Sequence, residues 1–210
     1  STQSLETTGT VMFMNCAFPT LDEEALAPSN VTLGPYCKFP YTTNSLFNIS
    51  GMSFGALSSP AVRALSKGAK LAGCWMNTGE GGLSPYHLEG GADIVFQIGT
   101  AKYGVRDEQG NLSTEKLKAV AAHPTVKMFE LKMSQGAKPG KGGMLPGRKV
   151  NAEIAKIRGI PEGQDSISPN GHPEIKNPND ILDMLTTIRT ATGKPTGFKA
   201  VIGEHTWLES

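Results

Sequence analysis

Apolar positions along the chain fall into short blocks whose spacing alternates between strand-like runs and helical repeats. Phe47 to Met52 is a brief apolar run closed by Gly51 and the turn Ser53-Phe54-Gly55, which reads as a strand ending in a loop. Val62, Leu65, Ala69 and Ala72 then recur at spacings of three and four, one face of a helix. Ser58 or Ser59 caps that helix, Pro60 suits its first turn, and Gly73 stops it. Strands follow at Cys74 to Met76, Ile94 to Ile98 and Val126 to Met133. Between and after them lie helices at Ser113 to Ala122 (Ser113 capping), Asn151 to Ile157 and Asn179 to Ala191. In the last of these Ile181, Leu182, Leu185 and Ile188 share a face. Gly193-Lys194-Pro195 ends it, and Gly197 to Gly203 forms a final strand. Residues 1–45 carry no sustained period and are broken by turn-prone pieces at 27–30, 33–35 and 39–40. They read as an extended lead-in with one short strand at Val11 to Met14, ahead of a domain over 46–210. Strand, glycine loop, helix and strand alternate, which predicts α/β architecture with a mainly parallel sheet. Both an open doubly wound sheet and a barrel fit that pattern.

Composition narrows the function classes. The 210 residues carry 20 Lys+Arg against 19 Asp+Glu, a net charge of +1. That balance argues against a nucleic-acid binder working through bulk charge. No run of about 18 apolar residues is present to span a membrane, and the polar first ten residues do not read as a secretory signal. Cys16, Cys37 and Cys74 have no metal-ligand spacing, and an odd, low cysteine count fits a reducing compartment, so a cytoplasmic protein is expected. His87, His123, His172 and His205 form no zinc motif, and each reads as a surface or turn residue. Asp165, Ser168 and His172 occur in order, but order alone makes no catalytic triad. The 25 glycines and 14 prolines exceed average usage and cluster between apolar runs, implying ordered loops, where binding and catalysis concentrate.

Two of those loops carry chemistry. Asn77-Thr78-Gly79-Glu80-Gly81-Gly82 sets one carboxylate among residues that let backbone amides approach a planar or anionic ligand. Gln135 to Gly143 holds Lys138 and Lys141 among four glycines, a combination suited to a carboxylate or phosphate. It lacks Walker A spacing, and no GxGxxG follows a strand. The plainer alternatives are a tight turn and a solvated basic loop. Ser53, Asn77, Gln135 and Lys199 all fall at strand ends, which converge on one face of an α/β domain. Lys132 and Lys199 interrupt apolar strand patterns, which is costly unless each finds a partner or snorkels to solvent. A lysine beside N1 and O2 of a flavin would stabilise the anionic reduced ring.

Five blocks in order resemble the FMN-binding domain of glutamate synthases. Asn48 to Ser58 (NISGMSFGALS) resembles that family's ISAMSFGALS strand, and Asn77 to Gly82 its NTGEGG loop. Lys132 to Gly140 (KMSQGAKPG) resembles KMAQGAKPG, followed by Leu145-Pro146-Gly147 with Lys149-Val150, and Asp165 to Pro169 (DSISP) resembles DLISP. Leu83 and Met144 replace the family's Glu and Gln at substrate-side positions, and Leu83 to His87 and Gly159 to Asp165 look like the shorter, glutamate-synthase-related branch. The resemblance implies a (β/α)8 TIM barrel binding FMN at its C-terminal face. Met52, Ser53, Asn77, Lys132, Gln135 and Lys199 would surround the flavin ring. Gly79, Lys138 and Arg158 would hold a 2-oxo or 2-imino acid, with Lys138 and Glu80 as catalytic residues.

The expected activity is hydride transfer from reduced FMN to a 2-oxo or 2-imino acid such as 2-iminoglutarate. The blocks cover about the first four or five strands of such a barrel, so the chain reads as its N-terminal part. The segments carrying the family's iron–sulfur ligands and its amidotransferase domain are not in it. A homo-oligomer or a complementary barrel half is the expected macromolecular partner. The rival readings are a non-catalytic binding or assembly module that kept the barrel loops, and an FMN oxidase of 2-hydroxy acids.

Overall fold

A computed structural model describes residues 17–18, 21, 30–136, 138 and 140–201. The strand expected at Val11 to Met14, Cys16 and His205 lie outside the described residues.

Among the described residues, eight strands and five α-helices follow in chain order: β1 (Val31–Leu33), β2 (Tyr41–Thr43), α1 (Ser59–Ala72), β3 (Met76–Asn77), α2 (Pro85–Glu89), β4 (Ile94–Ile98), α3 (Thr114–Ala121), β5 (Val126–Lys132), β6 (Met144–Leu145), α4 (Ala152–Arg158), β7 (Ser166–Ile167), α5 (Pro178–Thr192) and β8 (Thr196–Lys199). The main sheet is parallel and ordered β3-β4-β5-β8. Ile49 bridges to Met76 in parallel beside β3, so the apolar run at 47–52 contributes one bridge in place of the full strand expected there. Neighbours in this sheet follow chain order. A doubly wound sheet reverses at a switch point, and no reversal occurs among the described residues.

Helix ends follow local chemistry. Ser113, Asn151 and Asn177 each accept the backbone N–H of the residue three positions on. Gly73, Gly159 and Gly193 close α1, α4 and α5 in the left-handed conformation that costs glycine least. α3 packs on α5, and both rest on the sheet, α3 on β5 and α5 on β8. Phe96 and Phe129, fully buried on adjacent strands, meet at 5.7 Å between ring centroids. Each such burial stabilises by about 1.5–3 kcal/mol.

Some expected faces differ. In α1 the buried side chains are Val62, Ser66 and Ala69, while Ala72 is exposed. Ser66 is inside because its hydroxyl donates to His87 O at 2.7 Å and accepts from Gly90 N at 2.9 Å, joining α1 to α2. In α5 Leu182 is exposed and Met184 packs on the core in its place. The antiparallel pairs β1–β2 and β6–β7, and α2, were not expected from the pattern.

Alternation along the strands decides where chemistry sits. Successive side chains in a strand point to opposite faces. Ile94, Phe96 and Ile98 of β4, with Phe129 and Leu131 of β5, join the apolar cluster. The opposite face therefore carries Gln97 of β4, Glu130 and Lys132 of β5 and, by register with Lys132, Lys199 of β8.

Candidate functional site

On that opposite face a polar layer comes first. Glu130 Oε1 accepts from Asn77 Nδ2 at 2.9 Å and from Gln97 Nε2 at 2.6 Å. Asn77 Oδ1 accepts from Gly79 N at 2.8 Å, so both ends of its amide are engaged. Asn77 and Gln97 are each 2 % exposed. Three strands thus share one half-buried carboxylate.

Lys132 stands two residues beyond Glu130 on the same face. Its Nζ donates to Gln135 Oε1 at 2.8 Å and lies 3.3 Å from Glu80 Oε2. Gln135 Nε2 donates to the same Glu80 oxygen at 2.5 Å, closing a triangle of ammonium, amide and carboxylate. The Lys132 and Glu80 side chains are 16 % and 18 % exposed, so the pair is screened from water on most sides without being sealed. Two glycines make room for Glu80. A β-carbon on Gly99 would lie 2.7 Å from Glu80 Cβ, and one on Gly143 would overlap Glu80 Oε1.

Lys199 is paired in register with Lys132 across β5 and β8. A cleft of about 260 Å³ opens at these strand ends, lined by Lys132, Ser134, Gln135, Gly136, Lys199 and Val201. A second of about 170 Å³ shares Ser134, Gln135 and Gly136 with it and is lined further by Lys138, Lys141 and Asn170. Lys138 is exposed, its backbone N–H donating to Gln135 O at 3.0 Å. Glu80 places its carboxylate on Lys132 and Gln135.

The remaining expected residues, Met52, Ser53, Asn77, Gly79 and Arg158, are not among those lining the two clefts. Met52 N donates to Asn77 O at 3.0 Å. Gly79, at φ +66°, passes so close to Ser53 that a β-carbon would sit 2.7 Å from Ser53 N. Arg158, 4 % exposed, donates from Nη1 to Ser166 Oγ at 2.9 Å and from Nη2 to Phe54 O at 3.3 Å and Ser53 Oγ at 3.4 Å. Its guanidinium also lies 5.0 Å from the centroid of the Tyr103 ring. Burial pulls its pKa below the usual arginine value. Its Nη atoms thus tie Phe54 and Ser53 to Ser166, while its Nε is buried without a hydrogen-bond partner.

Two histidines were expected at the surface or in turns and are buried instead. His87, fully buried, donates from Nε2 to Met52 O at 2.7 Å, and its Nδ1 accepts from Ser84 N at 3.1 Å. His172, 4 % exposed, donates from Nε2 to Lys132 O at 2.9 Å. Burial lowers the pKa of both. Each tautomer follows from those partners. Leu83 packs against the apolar core, and Met144 is 64 % exposed. Sequence reasoning passed over Gln97 and Glu130, although each is a polar residue inside an apolar strand, the signal that singled out Lys132.

Among the described residues no group of three or more His, Cys, Asp and Glu is arranged to hold a metal ion, and no helix is long and apolar enough to cross a membrane.

Comparison with known proteins agrees with the motif content. The conserved region in glutamate synthase matches residues 24–206. The glutamate synthase large subunit-like protein YerD of Bacillus subtilis (strain 168) is 48 % identical over 168 residues, 80 % of this chain and 32 % of that protein. The archaeal glutamate synthase (NADPH) of Methanocaldococcus jannaschii is 42 % identical over 145 residues, 69 % of this chain and 26 % of that protein. A glutamate synthase large subunit-like protein of Rhizobium meliloti (strain 1021) is 34 % identical over 165 residues, 78 % of this chain and 34 % of that protein. The chain thus spans between about a quarter and a third of these relatives' length. With the match running through the strands and both glycine loops that build the lysine–glutamate–glutamine triangle, this chain belongs to the glutamate synthase family.

Proposed function

We propose that this chain supplies the ring-side wall of an FMN site in an oxidoreductase resembling glutamate synthase, acting on a 2-oxo or 2-imino acid. The observation that carries the reading is the convergence of Lys132, Lys199 and Gln135 on one cleft at the ends of parallel strands. The donor set fits the group. Two ammonium groups and an amide face the cleft, and Glu80 offsets one of the charges. Such donors match the carbonyl and nitrogen edge of a flavin, and a positive site favours the anionic reduced ring. When bound, FMN supplies the hydride delivered to the acceptor carbon. Lys132 and Lys199 hold the ring edge, Gln135 orients Lys132, and Glu80 keeps both side chains fixed before a ligand arrives. Lys138, on the adjoining cleft, neutralises a substrate carboxylate. The chain-order sheet is read as part of a (β/α)8 barrel whose C-terminal face holds this site.

The test uses the protein carrying this chain, loaded with FMN, reduced, and mixed without oxygen with 2-oxoglutarate and ammonium. Reoxidation of the flavin that slows at least tenfold in Lys138→Ala is expected. Flavin that stays reduced with every 2-oxo acid offered overturns the reading.

A further inference from the structure

β4 ends at Ile98, opposite Leu131, so Lys132 projects one residue past its neighbour on that side. Its carbonyl accepts from His172 Nε2 at 2.9 Å, across forty residues of sequence. Three further contacts seat this histidine. Thr100 Oγ1 donates to Pro169 O at 2.7 Å, Ile175 N to His172 O at 3.1 Å, and Lys102 Nζ bonds Glu174 Oε1 at 2.9 Å. Lys102 is 3 % exposed and holds a left-handed backbone, φ 53°, unusual for a residue with a side chain. His172 Nδ1 is buried with no hydrogen-bond partner.

With Nε2–H donating, Nδ1 carries the lone pair. A second proton would place an N–H where no acceptor waits. The charged groups facing the ring are the Lys102 ammonium, from the β4–α3 connection, and Glu174 from its own loop. The imidazole is thus built to be a neutral, one-sided donor.

We propose that His172 is a positioning residue for Lys132. Its hydrogen bond fixes the end of β5, so that the Lys132 ammonium stays on Gln135 and Glu80. Acid that protonates His172 loosens this end of the strand. The claim rests on the flavin reading only for its consequence, since the effect on Lys132 exists without a ligand.

The experiment therefore has two readouts, the Lys132 side-chain signal by lysine-selective NMR of the unliganded protein, and FMN affinity by fluorescence quenching. In His172→Ala the Lys132 signal is expected to move toward that of a solvent-exposed lysine, and FMN affinity to fall about tenfold. His172→Gln, whose amide reaches the same carbonyl, restores both. It also removes the loss of FMN affinity that the wild type shows in acid, at pH values below the ordinary histidine range. If the alanine variant does not fold, the pH profiles of wild type and His172→Gln decide. A Lys132 signal unmoved in His172→Ala, or identical acid profiles for wild type and His172→Gln, overturns the assignment. Wild-type protein that binds no FMN while Lys132 still responds to His172→Ala refutes the flavin reading and leaves the positioning role standing.

Discussion

Gly99 and Gly143 both clear space for Glu80, but they meet different ends of its side chain, which makes the cradle testable. A methyl on Gly99 would lie 2.7 Å from Glu80 Cβ and 3.1 Å from its Oε2. Carbon–carbon contacts settle near 3.5–4.0 Å, so about 1 Å must open. Glu80 Cβ is tied to the backbone and cannot rotate away. Overpacking of this kind costs about 1–3 kcal/mol. The displaced Oε2 is also the oxygen shared by Gln135 and Lys132, and weakening a bond to a charged group adds about 1.5–3 kcal/mol. Gly99→Ala is therefore expected to cost about 2.5–6 kcal/mol in urea unfolding. A methyl on Gly143 instead overlaps the carboxylate end of Glu80. Truncating Glu80→Ala should thus abolish the steric cost of Gly143→Ala yet keep that of Gly99→Ala. Only Glu80→Gly, which removes the β-carbon, should relieve Gly99→Ala. Double-mutant cycles with the linear extrapolation read both couplings. Equal costs for Gly99→Ala in the wild type and in Glu80→Gly would refute the cradle.

Three further expectations follow from the same contacts. His87 and His172 have lowered pKa values in the fold, so the unfolded chain binds more protons as pH falls through about 6.5. Stability is then flat in mild alkali and declines below pH 6.5 toward the lowered values, by up to roughly 1.4 kcal/mol per unit per histidine; urea midpoints independent of pH from 8 to 5 would contradict this. Arg158→Lys keeps the charge but not the fork spanning Ser166, Ser53 and Phe54, and should cost about 3 kcal/mol in thermal unfolding; wild-type stability in that variant would show the fork idle. Gly90→Ala would overlap the Ser66 backbone and stand 2.5 Å from Lys67 N, where no side chain can swing aside, so α1 and α2 should part at a cost of about 3 kcal/mol by calorimetry; an unchanged melting temperature would rule out that close crossing.

Much of the frame was legible in the sequence, for physical reasons that also mark the limits. β4 at Ile94–Ile98 and β5 from Val126 announce themselves because five to seven apolar-rich residues stand between turn signals. α1, α3 and α5 combine a 3.6-residue repeat with caps. The two-residue strands β6 and β7 and the three-residue strands β1 and β2 are too short to show any period. Leu182 and Met184 traded places because helix rotation is set by the sheet, not by hydrophobicity alone. Strand ends pointed to Gln135 and Lys199, and a charge inside an apolar strand pattern to Lys132, and all three line one cleft. His87 and His172 read as surface or turn residues because their partners, Met52 and Lys132, lie 35 and 40 residues away. Glu80 stood out only as the one carboxylate of its loop, because Lys132 and the glycines at 99 and 143 that surround it lie elsewhere in the sequence.

The most direct test of the account is a visible-absorption titration of the protein with FMN, run beside Lys132→Met. The account predicts a saturable perturbation of the flavin's long-wavelength band in the wild type and at least tenfold weaker binding in the variant, because the variant deletes the ammonium that Gln135 and Glu80 hold at the cleft. An unperturbed flavin spectrum in the wild type, or equal affinity in both proteins, would contradict it.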